Sequence, residues 1–170
     1  KYIHTYVSMT TIPERLVDNW WFNNLKRNIS LLNSRQTLVI NIPYVSLKNK
    51  PYVIPSKVLD LQSENFIINR CLDEGPITKL LPSLRNEMIR DEDVLIICDD
   101  DIVYIEDVFN ILEKAVHVTP LNISAMCNST IEGHKGFASK KGLIKDILKL
   151  KIPKSCQRID DDVINFYTRT

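Results

Sequence analysis

The residues best suited to chemistry are three consecutive carboxylates, Asp99-Asp100-Asp101, which directly follow the apolar run Val94-Leu95-Ile96-Ile97-Cys98. Adjacent carboxylates repel one another, and burying them unpaired is costly. A hard divalent cation removes that cost. Mg2+ or Mn2+ takes oxygen ligands, typically one or two carboxylates, and completes its shell with phosphate oxygens and water. Alternate side chains of an extended segment share a direction, so Asp99 and Asp101 could face one ion while Asp100 faces elsewhere. The plainer alternative is a solvated loop or the acidic start of a helix. A second acidic cluster, Asp91-Glu92-Asp93, precedes the same run and reads as a solvated turn.

Other chemistry-bearing residues are sparse. Cys71, Cys98, Cys127 and Cys156 are far apart and form no C-x-x-C pair, so a zinc site is not expected. They read as reduced thiols, which fits a cytoplasmic location. Three of the four glycines, Gly133, Gly136 and Gly142, fall within ten residues around His134, but they match neither a P-loop nor a G-x-G-x-x-G fingerprint.

The triplet can act only if a strand holds it. Residues 94–98 are continuously apolar, the pattern of a strand covered on both faces. Residues 3–9 and 36–42 read as two further strands, and 66–68 and 123–127 as short ones. Pro13 breaks the chain after the first strand. Helical spacing begins at Asp18, with Trp20 or Trp21, Leu25, Ile29 and Leu32 recurring. One of the adjacent tryptophans is expected in the core and the other at a surface. Helices are also predicted over 77–89, with Pro82 marking a kink or a two-part helix, and over 106–117, 142–150 and 160–167. Residues 43–55 hold three prolines and read as loop, and Asp73-Glu74-Gly75-Pro76 reads as a turn. Alternating strands and helices predict an α/β fold with a mostly parallel central sheet flanked by helices. Ligands of such sheets bind outside the carboxyl ends of the strands, where the triplet stands.

The 170 residues suit a single domain, and a net charge of +1 points to no nucleic-acid partner. No apolar run approaches the roughly 20 residues needed for a transmembrane segment, and the first residues lack a secretory-signal pattern. The last predicted helix begins close to the end, as expected of a domain cut from a longer, multidomain chain.

Four segments together resemble a known family. Ile96-Ile97-Cys98-Asp99-Asp100-Asp101 is similar to the strand and D-x-D signature of glycosyltransferases of the GT-A fold. Ser8-Met9-Thr10-Thr11-Ile12-Pro13-Glu14-Arg15 resembles their first-strand segment. Residues 73–80, Asp73-Glu74-Gly75-Pro76-Ile77-Thr78-Lys79-Leu80, resemble the D-x-G-P-x-T-K-L motif of one subgroup, and Asp160-Asp161-Asp162 its late acidic motif. The segments occur in the family's order and span most of the chain. The nearest likeness is to glycosyltransferase domains of multidomain proteins from large algal DNA viruses, which would put the chain in the host cytoplasm.

The resemblance implies a Rossmann-like GT-A fold, a Mn2+ or Mg2+ cofactor, a UDP-sugar donor carrying a hexose or deoxyhexose, and a glycan or glycoprotein acceptor. It implies that Thr10, Thr11 and Arg15 line the nucleotide pocket, that Asp73 contacts the uridine and that Lys79 reaches the diphosphate or donor sugar. Asp99 would hold the ribose or a metal-bound water, Asp101 would ligate the metal, and Asp100 would approach the donor sugar. Asp161 or Asp162 would face the acceptor hydroxyl as base or sugar ligand, and His134 would be a further metal ligand. Residues 132–137 match the family's donor-sugar loop only loosely. Two rivals remain. A nucleotidyltransferase shares the sheet but normally has a glycine-rich phosphate loop, and residues 10–15 contain no glycine. The other rival is a non-catalytic domain that binds nucleotide sugars.

Overall fold

A computed structural model describes residues 2–119, 124–125 and 136–150. β1 (Thr5–Thr10), β2 (Gln36–Pro43), β3 (Phe66–Cys71) and β4 (Val94–Ile97) run parallel. β5 (Ser124–Ala125) and β6 (Phe137–Lys140) complete the sheet, with β6 antiparallel to both β4 and β5. The order across the sheet is β3-β2-β1-β4-β6-β5. The class is therefore α/β with a mostly parallel central sheet flanked by helices, as the strand–helix alternation predicts.

Apolar side chains alternate between two cores, one on each face. Val7, Met9, Leu38, Ile40, Val94 and Ile96 pack with Trp21 and Leu25 of α1 (Asn19–Ser30) and with Phe109, Leu112 and Val116 of α4 (Val108–Val118). Val58 of α2 (Ser56–Leu59) joins the same face. Leu95 and Ile97 point the other way, against Leu80, the short α3 (Leu81–Arg85) and Ile144 of α5 (Lys141–Ile144). All eight residues of β2 are buried, which is why its pattern is continuous rather than alternating. α1 starts where its cap dictates: the Asp18 carboxylate accepts the N–H groups of Trp20 and Trp21.

Several elements differ from the sequence reading. The segment expected as a kinked or two-part helix over 77–89 is in two pieces, a 3-10 turn, Ile77–Lys79, followed by α3, but it is helical only to Arg85 and a turn covers the rest. Pro82 sits in the first turn of α3, where its missing N–H leaves no helical bond unmade. Residues 142–150 likewise form α5 and a 3-10 turn, Lys145–Lys149. β3 continues three residues beyond the predicted 66–68. β6 was not legible at all: four residues ending in Ser139 and Lys140 have no strand periodicity, and only pairing with β4 and β5 makes them a strand. The helix predicted over 160–167 lies outside the described residues.

Asp93 also corrects an expectation. It is not part of a solvated turn, being 1% exposed. Its carboxylate accepts the backbone N–H groups of His4 and Arg90 and the Arg90 guanidinium, tying the start of β1 to the start of β4. Burial pushes its pKa up, but these donors outweigh burial and hold it below the ordinary value of 3.8. Asp91 and Glu92 are exposed, as a solvated turn requires.

Candidate functional site

The strand order reverses at β1. The chain steps outward through β2 and β3, then returns to place β4 on the other side of β1. Loops leaving β1 and β4 therefore separate above the sheet and open a crevice, the usual ligand position in such folds. Thr10, Thr11, Arg15, Asp73, Asp99, Asp100 and Asp101 all border one cavity of about 320 Å3 there. These residues come from three separate stretches of sequence.

Each carboxylate of the triplet has a distinct setting. Asp99 accepts the Lys79 ammonium on Oδ1 at 2.7 Å, and the Tyr104 hydroxyl accepts its backbone N–H at 2.9 Å. Lys79 is almost fully buried. Its backbone is fixed by the Ser8 hydroxyl of β1, which donates to the Lys79 carbonyl and also bonds Ser83 and Asn41. The buried Ser8 thus couples β1, β2 and the 77–84 segment, and so aims Lys79 at Asp99.

Asp100 turns inward and is 5% exposed. Arg15 donates to Oδ1, and the Trp21 indole N–H donates to Oδ2 at 2.6 Å. Burial pushes the Asp100 pKa above the ordinary carboxylate value, against the charge of Arg15 and the hydrogen bond from Trp21. Asn24 holds the turn through two backbone carbonyls, those of Asp100 and Ile102. Asp100 borders the cavity where a donor sugar was expected to approach it, but its oxygens are already engaged by protein. Asp101 faces outward, and Arg15 bridges to its Oδ2.

The opposite wall comes from loops. Asp73 accepts the N–H groups of Leu47 and Gly75, each at 2.8 Å, which joins the loop after β2 to the turn after β3. Gly75 has φ +78°, a left-handed conformation that glycine takes without strain. The Tyr52 hydroxyl donates to the Thr11 carbonyl at 3.2 Å, and burial pushes its pKa up. A second cavity of about 410 Å3, bordered by Glu14, Lys48 and Lys50, shares Tyr52 and Asp73 with the first.

Below the triplet, burial pushes the Cys98 thiol up to about 12, so it stays protonated and packs as an apolar group. Cys71 and Cys98 are free cysteines, and Cys127 and Cys156 lie outside the described residues.

The donor set fits a hard cation only in part. Among the described residues no three His, Cys, Asp or Glu side chains gather as a ligand cluster. Asp99 and Asp101 nonetheless offer two carboxylates at the cavity edge, and Mg2+ or Mn2+ commonly uses no more protein than that when phosphate and water supply the rest. His134, Asp161 and Asp162 lie outside the described residues.

Sequence reasoning missed Tyr52, Asn24 and Tyr104, whose surroundings carry no motif. It also read the tryptophans as one core and one surface residue, with no tie to the triplet. Trp21 is buried and Trp20 exposed, as expected, but Trp21 bonds the triplet as well. Among the described residues no helix is long and apolar enough to cross a membrane. No protein-family model matches the chain, and no curated protein matches it.

Proposed function

We propose that this chain is a metal-dependent glycosyltransferase of the GT-A type, moving a hexose or deoxyhexose from a UDP-sugar to a hydroxyl of a glycan or glycoprotein. The observation that supports this reading is convergence. Residues of the Thr10–Arg15, Asp73–Lys79 and Asp99–Asp101 segments meet around one crevice at the carboxyl ends of parallel strands.

In this reading Arg15 and Lys79 present positive charge where the departing diphosphate gains negative charge. Asp99 and Asp101 would hold Mn2+ or Mg2+, which supplies Lewis-acid neutralisation of the leaving group. Thr10 and Thr11 wall the nucleotide side, and Asp73 stands between the two cavities, so the second has room for the nucleoside. Positioning an acceptor hydroxyl near the anomeric carbon contributes much of the rate. An inverting reaction would use Asp161 or Asp162 as base, whereas a retaining one needs none.

The test is a panel of UDP-sugars assayed for UDP release with and without Mn2+. Release that requires the metal and quickens with acceptor glycans supports the reading. A folded protein that releases no UDP from any donor overturns it.

A second reading, a domain that binds nucleotide sugars without turnover, draws on one observation. Every carboxylate of the triplet is already paired with a cation of the protein. Calorimetric binding of UDP without hydrolysis of any UDP-sugar would favour it.

A further inference from the structure

The Arg15 guanidinium spans two carboxylates whose attachments differ. Asp100 is buried, its second oxygen is on Trp21, and its carbonyl is held by Asn24. A charge-assisted bond in such a shielded place is strong. The Asp101 side chain is 41% exposed, and among the described residues its carboxylate has Arg15 alone as hydrogen-bond partner. A solvent-facing ion pair of that kind contributes little. One nitrogen of Arg15 is therefore anchored and the other is easily exchanged. The exchangeable one sits on the most exposed carboxylate of the triplet, which also borders the cavity.

We infer that the Arg15–Asp101 pair is a latch that couples anion binding to cation binding at this site. This inference rests on the proposed metal and diphosphate site and adds its regulation. With no nucleotide bound, the guanidinium neutralises Asp101 and competes with a divalent ion for it. A diphosphate entering the cavity offers the free edge of the planar Arg15 guanidinium strongly anionic oxygens in place of Asp101. Asp100 keeps its hold on the other guanidinium nitrogen, so Arg15 pivots rather than leaves. Asp101 is then open to the metal. Because coupling between sites is reciprocal, metal raises nucleotide affinity by the same factor. The arrangement disfavours idle occupation of the site by metal alone.

The deciding measurement is Mn2+ affinity without nucleotide, read from the electron paramagnetic resonance signal of unbound Mn2+. Wild type is compared with Arg15→Gln and Arg15→Lys. The lysine variant keeps a cation for the buried Asp100, which protects the fold, but a single ammonium cannot span both carboxylates. Circular dichroism verifies folding in each. Both variants are expected to bind Mn2+ about tenfold more tightly than wild type, within the usual range of coupling. Adding Asp101→Asn to Arg15→Lys should abolish the gain. UDP affinity, measured by calorimetry with and without Mn2+, should show strong coupling in wild type and weak coupling in the variants. Unchanged or weaker Mn2+ affinity in both folded variants overturns the latch, and Mn2+-dependent UDP binding by wild type would then leave the proposed function standing. No Mn2+ binding by any of the proteins, with or without UDP, overturns both.

Discussion

The indole Nε1–H of Trp21 donates to Asp100 Oδ2 at 2.6 Å, so a core side chain of α1 holds the acidic turn that follows β4. The ring packs among Leu25 and the apolar faces of β1 and β4, which fixes its direction. Packing energy on one side of the sheet thereby becomes positional accuracy at the crevice. Trp21→Phe keeps an aromatic ring but removes the donor. It should lower stability by about 1.5–3 kcal/mol, the usual contribution of a hydrogen bond to a charged group. Urea unfolding measures this, and a variant as stable as wild type would show that the bond is energetically idle.

Asp101 faces solvent and has no packing role, so its removal should separate chemistry from folding. Asp101→Ala is expected to change stability by no more than about 0.5 kcal/mol. Metal-dependent UDP release should fall about 100-fold or more, because a Lewis-acid contribution of several kcal/mol is lost. Undiminished Mn2+-dependent turnover would remove Asp101 from the metal site.

Asp93 predicts a pH dependence. Its folded pKa lies below the ordinary value of 3.8. A depressed carboxylate contributes stability that is present above the unfolded pKa and is lost as pH falls through the folded one. Asp93→Asn should cost about 2–3 kcal/mol at pH 7 through weakened charged hydrogen bonds. The gap between wild type and variant should close below about pH 4. Stability curves from pH 3 to 8 test the shape, and a gap that stays constant would contradict the assigned ionisation.

Gly136 has φ +84°, and an added Cβ would lie 3.3 Å from both Cys98 Sγ and Leu112 Cδ1. Gly136→Ala should therefore cost about 1–2 kcal/mol from backbone strain, plus the crowding. Adding Cys98→Ala should restore only the share of the crowding that the Cys98 sulfur causes, leaving the contact with Leu112 and the strain. Thermal midpoints of the single and double variants separate the two contributions, and full recovery in the double variant would argue against strain at φ.

Much of the fold was legible because its signals are local. The apolar run before Asp99, the alternation of strands and helices, and the start of helical spacing at Asp18 all follow from which residues stand next to one another. The crevice was also foreseeable, since a loop leaving a buried parallel strand must emerge at its carboxyl end. β6 and the burial of Asp93 were not legible. Four residues have too little pattern to prefer a strand, and an acidic turn looks solvated until His4, 89 residues away, donates to it.

The sequence by itself determined the chemical inventory: three adjacent carboxylates, an arginine and a lysine in separate motifs, and the strands that present them. Tertiary structure alone decided how those charges are shared. Lys79 meets Asp99 because Ser8 pins its backbone, and Arg15 bridges Asp100 and Asp101 because β1 and β4 are neighbours in the sheet. The three carboxylates are equivalent in the chain, but burial and distant donors make Asp100 an anchor and leave Asp101 exposed. Such differences arise from desolvation and long-range contacts, neither of which exists until the chain has folded.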